Sequence, residues 1–370
     1  MPGLSDTLEK LARFRVAGLQ AETAYQDSRL SSLAAFGSNP GQLNAKFFVP
    51  QNLARDAALV VVLHGCTQTA NGYDHGSGWS QIADEQGFAL LYPEQQRSNN
   101  ANLCFNWFEP DDVWRDRGEV LSIGQMVQTM IGKHSIDPAK IFVTGLSAGG
   151  AMTSALLAAY PDVFAGGAII AGLPAGTVTS MSQAFQRMQH GGTESAASLA
   201  AKITSASSHS GPWPSVSVWH GDADRTVDRS NADAIVEQWR GVHGLAEAVP
   251  VVEVVDGQTR ETWRDPNGRV AIESWTITGM GHGTPLDTKS ADACGMASPH
   301  MLEVSISSTR HIVRFWGLET KPRRQQKRSA ADERSASGQA NSASHFTQPA
   351  ASAGPGRVIE DALRAAGLMR

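Results

Sequence analysis

The sequence has little of what marks membrane, nucleic-acid-binding or disulfide-rich proteins. No apolar run approaches the roughly 18–20 residues that a membrane span needs, and a formal charge of −5 gives no indication of nucleic-acid binding. Three cysteines, Cys66, Cys104 and Cys294, are too few for a disulfide scaffold, and either one bridge or three thiols fits them. No Cys/His cluster has metal-ligand spacing. We therefore expect no metal, no organic cofactor, no membrane span and no nucleic-acid partner.

The two ends of the chain differ in composition from its middle. Residues 1–35 carry charged and apolar residues at helical spacing, which predicts an N-terminal helical extension, and they lack the apolar core of a secretory signal. Residues 319–370 are rich in Ser, Ala, Gln and Arg, and they are basic overall. Such a segment buries too little apolar surface to offset the cost of ordering. We expect a disordered basic tail, with a short helix-compatible stretch at its end, and interpret it as a solvated extension rather than a tether to an acidic surface.

Between these ends, from residue 36 to residue 318, strand and helix patterns alternate. Continuous apolar, β-branched runs predict buried strands, and apolar residues at helical spacing predict the helices between them. The predicted strands are 45–50, 59–63, 88–92, 140–144, 165–171, 216–219 and 272–277, and the predicted helices are 119–133, 148–160 and 299–316. This alternation predicts an α/β fold with a mostly parallel sheet covered on both faces. Residues 173–213 interrupt it, and we interpret them as a cap-like insertion.

Gly145-Leu146-Ser147-Ala148-Gly149 matches the pattern G-x-S-x-G between a predicted strand and a predicted helix. A serine hydroxyl is a poor nucleophile unless a base is held beside it. The strand-to-helix elbow of α/β-hydrolases holds the serine in a tight turn above the sheet, and small flanking residues relieve crowding there. A Gly-rich structural turn would also match the five letters. The flanking strand and helix favour Ser147 as a nucleophile within an α/β-hydrolase fold.

The general base is predicted in a loop beyond a later strand, because this fold class orders its triad Ser, Asp or Glu, His. His282 lies in G-M-G-H-G directly after the predicted strand 272–277. Among the histidines after Ser147, it alone follows a strand end with glycines on both sides. His300 and His311 fall in the predicted terminal helix, where we expect surface or core roles. We predict His282 as the base.

The acid of the triad is predicted in the loop after strand 216–219, which offers Asp222, Asp224 and Asp228. Such a carboxylate fixes the tautomer of the imidazole and stabilises the imidazolium that forms during attack. Spacing alone does not choose between Asp222 and Asp224. We favour a turn-capping role for Asp222.

An oxyanion hole is expected beside the nucleophile, because the carbonyl oxygen of an ester gains charge when Ser147 attacks. One donor is the backbone amide of Ala148, the residue after the nucleophile. The second is expected in the loop after the strand LVVVL, where we assign the amide of Cys66 with Gly65 as the alternative. His64 is interpreted as a loop-shaping residue rather than a catalyst.

The sequence resembles a known family, the polyhydroxybutyrate depolymerase-type esterases, which are relatives of feruloyl and acetylxylan esterases. The resemblance runs from about residue 36 to residue 318. Its motifs are HGCTQTANGYDHGSGW, GFALLYPEQ, CFNWF, GEVLSIGQMV, IFVTGLSAGGAM, YPDVFAGGAIIAGLP, WHGDADRTV and SPHMLEVSISSTRHIVRFWGL.

The resemblance implies several site assignments. The family pattern H-G-x-x-D-x-x-V falls on His220 to Val227 and selects Asp224 as the acid. The H-G-C segment implies Cys66 as an oxyanion donor. The C-F-N-W segment implies a Cys66–Cys104 bridge and an aromatic wall near the substrate, with Trp107 as the substrate contact. Trp79 we assign to the core.

The resemblance also implies an extracellular enzyme, although no signal peptide is visible at the first residue and a separate polymer-binding domain is not recognisable; a cytoplasmic enzyme is the alternative. We predict a serine ester hydrolase that acts through an acyl-enzyme on hydroxyalkanoate esters or oligomers. A feruloyl or acetylxylan-type carbohydrate esterase is the alternative within enzymes. A non-catalytic binding module on a hydrolase scaffold is the alternative from another class, and the intact triad argues against it.

Overall fold

The computed structural model of the chain describes residues 28–319. The predicted N-terminal helix lies outside the described residues over 1–27, and the predicted basic tail lies outside them from 320 onward. Where the predicted extension enters the described part, the helical expectation is wrong. Ser31–Ser32 form a short strand there, because their backbone pairs antiparallel with the edge of the sheet at Lys46 and Phe47.

The strands of the described residues follow the predicted ones closely, with additions towards the C-terminus. They are β1 (Ser31–Ser32), β2 (Asn44–Phe48), β3 (Ala57–Leu63), β4 (Ala89–Glu94), β5 (Ile136–Leu146), β6 (Gly166–Ile170), β7 (Ser215–Gly221), β8 (Val251–Val255), β9 (Gln258–Arg264), β10 (Val270–Ile277), β11 (Thr284–Leu286) and β12 (Met301–Glu303). The helices are α1 (Ala70–Ser77), α2 (Trp79–Gln86), α3 (Pro110–Val113), α4 (Gly118–Lys133), α5 (Ala148–Ala159), α6 (Met181–His190), α7 (Ala196–Thr204), α8 (Ser230–Val242) and α9 (Ser308–Phe315).

Ten of these strands form one sheet in the order β1-β2-β4-β3-β5-β6-β7-β10-β9-β8. The six strands in the middle, from β4 to β10, pair parallel, and the two flanking pairs at each end are antiparallel. Parallel strands end at the same edge of a sheet, so the loops after β3, β5, β7 and β10 leave from one side. This arrangement confirms the predicted α/β class and its mostly parallel sheet.

The core lies on both faces of the sheet. In β3, alternate side chains point to opposite faces, so that Leu59, Val61 and Leu63 join one apolar cluster while Val60 and Val62 join the other. All five are fully buried. Burial on both faces explains why β3 is a continuous apolar run rather than an alternating one.

Two parts of the C-terminal half differ from the sequence prediction. β8 and β9 form an antiparallel hairpin at the edge of the sheet, in a stretch where no strand is predicted, and β8 is exposed, with Val254 at 76%. The predicted helix 299–316 is wrong in its first half. There Met301–Glu303 pair parallel with Thr284–Leu286, and α9 begins only at Ser308, capped by the Ser307 hydroxyl.

The segment interpreted as an insertion, 173–213, lies between β6 and β7 and contains α6 and α7. Its helices pack on α8. The side-chain amide of Gln238 in α8 joins the segment to the body of the fold, because its Nε2 donates to the carbonyls of Ala175 (3.0 Å) and Leu199 (3.1 Å).

Candidate active site

Ser147 stands at the turn between β5 and α5, at the edge of the sheet where the parallel strands end. Its φ of +57° is one that non-glycine residues rarely adopt, so the turn is strained. The Ser147 amide donates to the carbonyl of Ile170 in β6 (2.9 Å), which ties the elbow to the sheet. The residue is 9% exposed. Ser147 is therefore held in a sharp bend and is largely buried.

The two glycines of the motif are required by the close approach of backbones. A Cβ on Gly149 would lie 2.5 Å from the carbonyl oxygen of His64 in the loop after β3. A Cβ on Gly145 would collide with the carbonyl of Gly149 itself. The elbow thus packs directly against the loop in which the second oxyanion donor is predicted.

Asp224 and His282 meet beyond the ends of β7 and β10, which are adjacent parallel strands. The Nδ1 of His282 donates to Oδ2 of Asp224 at 2.7 Å, and the Asp224 side chain is fully buried. A carboxylate only accepts hydrogen bonds, so the proton of a neutral His282 lies on Nδ1 and its Nε2 carries a lone pair. This is the tautomer that a general base requires.

The second oxygen of Asp224 is held by its own turn. Oδ1 accepts the amides of Thr226 (2.8 Å) and Val227 (3.0 Å). Burial opposes ionisation of this carboxyl, but the charge and the hydrogen bond of His282 outweigh burial, and the pKa of Asp224 is lowered. Asp222 is exposed and accepts the amide of Gly279 at 2.7 Å. The structure brings Asp224 to His282, and Asp222 caps a turn.

The H-G-x-x-D-x-x-V pattern also contains His220 and Val227, which close the turn around Asp224. The Nε2 of His220 donates to the carbonyl of Val227 at 2.9 Å and lies 3.5 Å from Oδ2 of Asp224. Burial lowers the pKa of His220, so the ring is neutral at physiological pH. The pattern therefore describes a closed turn that presents one carboxylate oxygen to His282.

The loop after β3 is shaped by His64. The Nδ1 of this buried ring donates to the Gly65 carbonyl (2.8 Å), and its Nε2 accepts the amide of Gln95 (3.1 Å). Burial lowers the pKa of His64. Both ring nitrogens are thus occupied by backbone groups, as expected for a loop-shaping residue.

The two amides considered for the second oxyanion donor differ in their partners. The Gly65 amide donates to the side chain of Gln68 at 2.8 Å, so it is already engaged. The Cys66 amide has no acceptor within residues 28–319. Ala148 is the first residue of α5, where backbone amides lack an intrahelical acceptor. Cys66 and Ala148 therefore keep their amides available at the elbow.

A disulfide joins Cys66 to Cys104, which confirms the pairing implied by the resemblance, and Cys294 is a buried free thiol. The Thr67 amide reinforces the bridge by donating to the Asn102 carbonyl at 2.7 Å. The loop that carries the Cys66 amide is therefore anchored covalently to the segment after β4.

The predicted tryptophans occupy different surroundings. Trp79 is buried and stacks on Trp316, with ring centroids 6.2 Å apart, which agrees with its assignment to the core. Trp107 is 9% exposed and packs edge-on against Phe108 at 5.8 Å. Its predicted contact with substrate stays a prediction.

His300 is a residue next to the site that the sequence analysis misplaces. It lies before β12 rather than in a helix, and its ring centroid is 5.8 Å from that of His282. Its Nδ1 donates to the His282 carbonyl at 3.2 Å. The helical spacing of apolar residues across 299–316 concealed it, and Pro299 did not contradict that spacing, because proline is common at the first position of a helix.

Within residues 28–319, no helix is long and apolar enough to cross a membrane, and no three His, Cys, Asp or Glu side chains group as metal ligands would. A parallel sheet with a strained serine elbow and a buried Asp–His pair at its carboxyl edge defines the α/β-hydrolase class.

Comparison with known proteins identifies the family. The family model described as esterase PHB depolymerase matches residues 43–264. Over 316 residues the chain is 43% identical to poly(3-hydroxyalkanoate) depolymerase C of Paucimonas lemoignei, covering 85% of this chain and 76% of that protein. It is 34% identical to acetylxylan esterase A of Emericella nidulans, covering 69% and 84%. The solved acetyl xylan esterase from Aspergillus awamori superposes with a TM-score of 0.65 at 26% identity, covering 78% of this chain and 99% of that one. The chain belongs to the esterase PHB depolymerase family and is a carboxylic ester hydrolase.

Proposed function

We propose that Ser147, His282 and Asp224 form a catalytic triad that hydrolyses hydroxyalkanoate esters or oligomers through an acyl-enzyme. One observation carries the proposal. The buried Asp224 carboxylate accepts a hydrogen bond from Nδ1 of His282, with 2.7 Å between the nitrogen and Oδ2, which leaves Nε2 as a base at the sheet edge where Ser147 stands.

The chemistry has two halves. His282 Nε2 takes the hydroxyl proton as Ser147 Oγ attacks the ester carbonyl, and the amides of Cys66 and Ala148 donate to the oxyanion. The tetrahedral intermediate collapses, His282 protonates the leaving alcohol, and an acyl-enzyme remains. His282 then removes a proton from water as the water attacks the acyl carbonyl. The second tetrahedral intermediate collapses with release of the acid, and His282 returns the proton to Ser147 Oγ.

The chain is more similar to the poly(3-hydroxyalkanoate) depolymerase than to the acetylxylan esterase, and this supports a hydroxyalkanoate ester as the substrate. Identity to the poly(3-hydroxyalkanoate) depolymerase is 43% over 85% of this chain, against 34% over 69% for the acetylxylan esterase. A carbohydrate esterase is the second candidate, because the superposed solved structure is an acetyl xylan esterase. Turnover of 3-hydroxybutyrate oligomers against acetylated xylan and methyl ferulate separates the two. Trp107 is the proposed substrate contact, and Trp107→Ala should raise KM for the preferred ester.

An extracellular location is part of the proposal. The Cys66–Cys104 bridge supports it, because disulfides persist in oxidising compartments and are rare in the cytosol. Fractionation of the source cells, with detection of the chain in medium and cell extract, tests this location.

Ser147→Ala tests the mechanism directly. We expect its kcat for p-nitrophenyl butyrate to fall by about a millionfold, as for loss of other triad serines. Ser154→Ala is the matched control, since Ser154 is a buried serine of α5, the helix that follows Ser147, and its hydroxyl donates back to the Gly150 carbonyl. Wild-type turnover by Ser147→Ala would refute the assignment, and the control should keep wild-type turnover and fold.

A further inference from the structure

The loop that carries His282 is held by one residue from two directions. The side chain of His300 donates through Nδ1 to the His282 carbonyl (3.2 Å), and the His300 carbonyl accepts the Thr284 amide (2.8 Å). His300 is 8% exposed and has a φ of +63°, an unfavourable conformation for a residue that is not glycine. The two hydrogen bonds hold the backbone on both sides of Gly283.

Gly283 shows how closely the two segments approach. A Cβ at Gly283 would lie 2.7 Å from the His300 carbonyl oxygen and 2.8 Å from Cγ of Leu302. Gly281, on the other side of His282, has nothing within 4 Å of such a Cβ. Only one of the two glycines beside His282 is therefore in contact with the His300 segment.

The His300 ring also touches the ring it positions. Its centroid lies 5.8 Å from that of His282, with the planes at 76°, an edge-to-face arrangement. Burial lowers the pKa of His300, and the nearby His282 adds to this effect. A neutral ring has one N–H, and the contact with the His282 carbonyl uses it on Nδ1.

We propose that His300 is a positioning residue that holds the backbone of His282, so that the imidazole keeps Nδ1 on Asp224 and leaves Nε2 free to act as the base for Ser147. The inference rests on the triad proposed above. The reason is geometric: Asp224 restrains one atom of the imidazole, and rotation of the ring about that hydrogen bond also depends on where the main chain of His282 lies. A second restraint on that main chain fixes the ring.

Two substitutions at His300 separate the hydrogen bond from the fold. His300→Asn keeps a donor at the δ position and tolerates positive φ, whereas His300→Gly tolerates positive φ but removes the donor. We expect His300→Gly to lower kcat by up to about 100-fold, the effect of a small misplacement of a reacting group. KM should change little, and His300→Asn should recover most of the loss.

The control for these variants is His243, which makes the same kind of contact at the amino-terminal end of a parallel strand, away from the ends that carry the proposed triad. The His243 Nε2 donates to the carbonyl of Pro214 at 3.0 Å, just before the first residue of β7. His243→Gly should keep the wild-type kcat even if it lowers the midpoint of thermal unfolding. The downfield proton resonance of the Asp224–His282 hydrogen bond should weaken in His300→Gly and persist in His243→Gly.

The neighbouring glycines give an independent test that leaves every titratable group in place. Gly283→Ala should lower kcat because its methyl group pushes the His300 carbonyl away, and Gly281→Ala should not. The proposal is overturned if His300→Gly or Gly283→Ala keeps the wild-type kcat, or if His300→Asn is as slow as His300→Gly. Ser147→Ala, assayed in parallel, separates the failures: its retention of activity would refute the triad, whereas its inactivity with an unaffected His300→Gly refutes only the positioning role.

Discussion

Replacing Asp224 by asparagine changes one atom of the site and should reverse the tautomer of its base. Oδ1 of Asp224 accepts two backbone amides, those of Thr226 and Val227. In Asp224→Asn the carbonyl oxygen of the new amide must keep that place, because an NH₂ group would meet two N–H donors. The NH₂ group is therefore forced to the position of Oδ2, opposite His282.

Two donors then face each other unless His282 moves its proton. With Nδ1 as the acceptor, the proton lies on Nε2, and the ring can no longer take the proton of Ser147. The same change in another serine hydrolase lowers kcat by about 10⁴, which corresponds to about 5 kcal/mol of transition-state stabilisation. We expect a loss of this order for p-nitrophenyl butyrate. Stability should change less, since both backbone amides keep their acceptor.

Asp222→Asn is the matched control two residues away. Its side chain is exposed, and Oδ1 of an asparagine can still accept the Gly279 amide. Steady-state kinetics of the two purified variants, together with their denaturant midpoints, form the assay. The tautomer argument is wrong if Asp224→Asn stays within tenfold of the wild type, or if Asp222→Asn loses as much activity.

Three further predictions concern stability and the oxyanion loop. Replacing both Cys66 and Cys104 by serine should lower the free energy of unfolding by about 4 kcal/mol, since the bridge closes a loop across a sequence separation of 38. Calorimetry or denaturant titration measures this loss, and an unchanged unfolding midpoint would contradict the prediction. Gly149→Ala should lower both kcat and stability, because its Cβ meets the His64 carbonyl at 2.5 Å; wild-type values for both would refute the close packing. Burial lowers the pKa of His64 and His220 below 6.5, so these side chains take up protons more readily in the unfolded chain. Stability should therefore fall as the pH drops below about 6.5. Denaturation midpoints measured from pH 8 to pH 5 test this, and a flat profile would contradict it.

Much of the fold could be predicted from the sequence because its strands are buried on both faces. β3 and β5 contain apolar runs that fit the interior of a parallel sheet, and α5 follows β5 at once. The outermost strands of the sheet, β8 and β9, were less predictable. β8 is a strand because β9 supplies its hydrogen bonds, and its exposed valines show neither alternation nor burial. The pairing of Met301–Glu303 with Thr284–Leu286 is likewise long-range, so local helical spacing misled the prediction there.

The sequence by itself determined the chemistry that the loops carry: a serine between small residues after a strand, a histidine flanked by glycines, and acids in the loop between them. Spacing along the chain left open which groups pair, and tertiary structure decided it. It brought Asp224 rather than Asp222 to His282, occupied the Gly65 amide with Gln68, and set His300 against His282. The physical reason is that residue type and local spacing act within a few positions, whereas hydrogen-bond partners are chosen by which strand ends and loops the folded sheet places side by side.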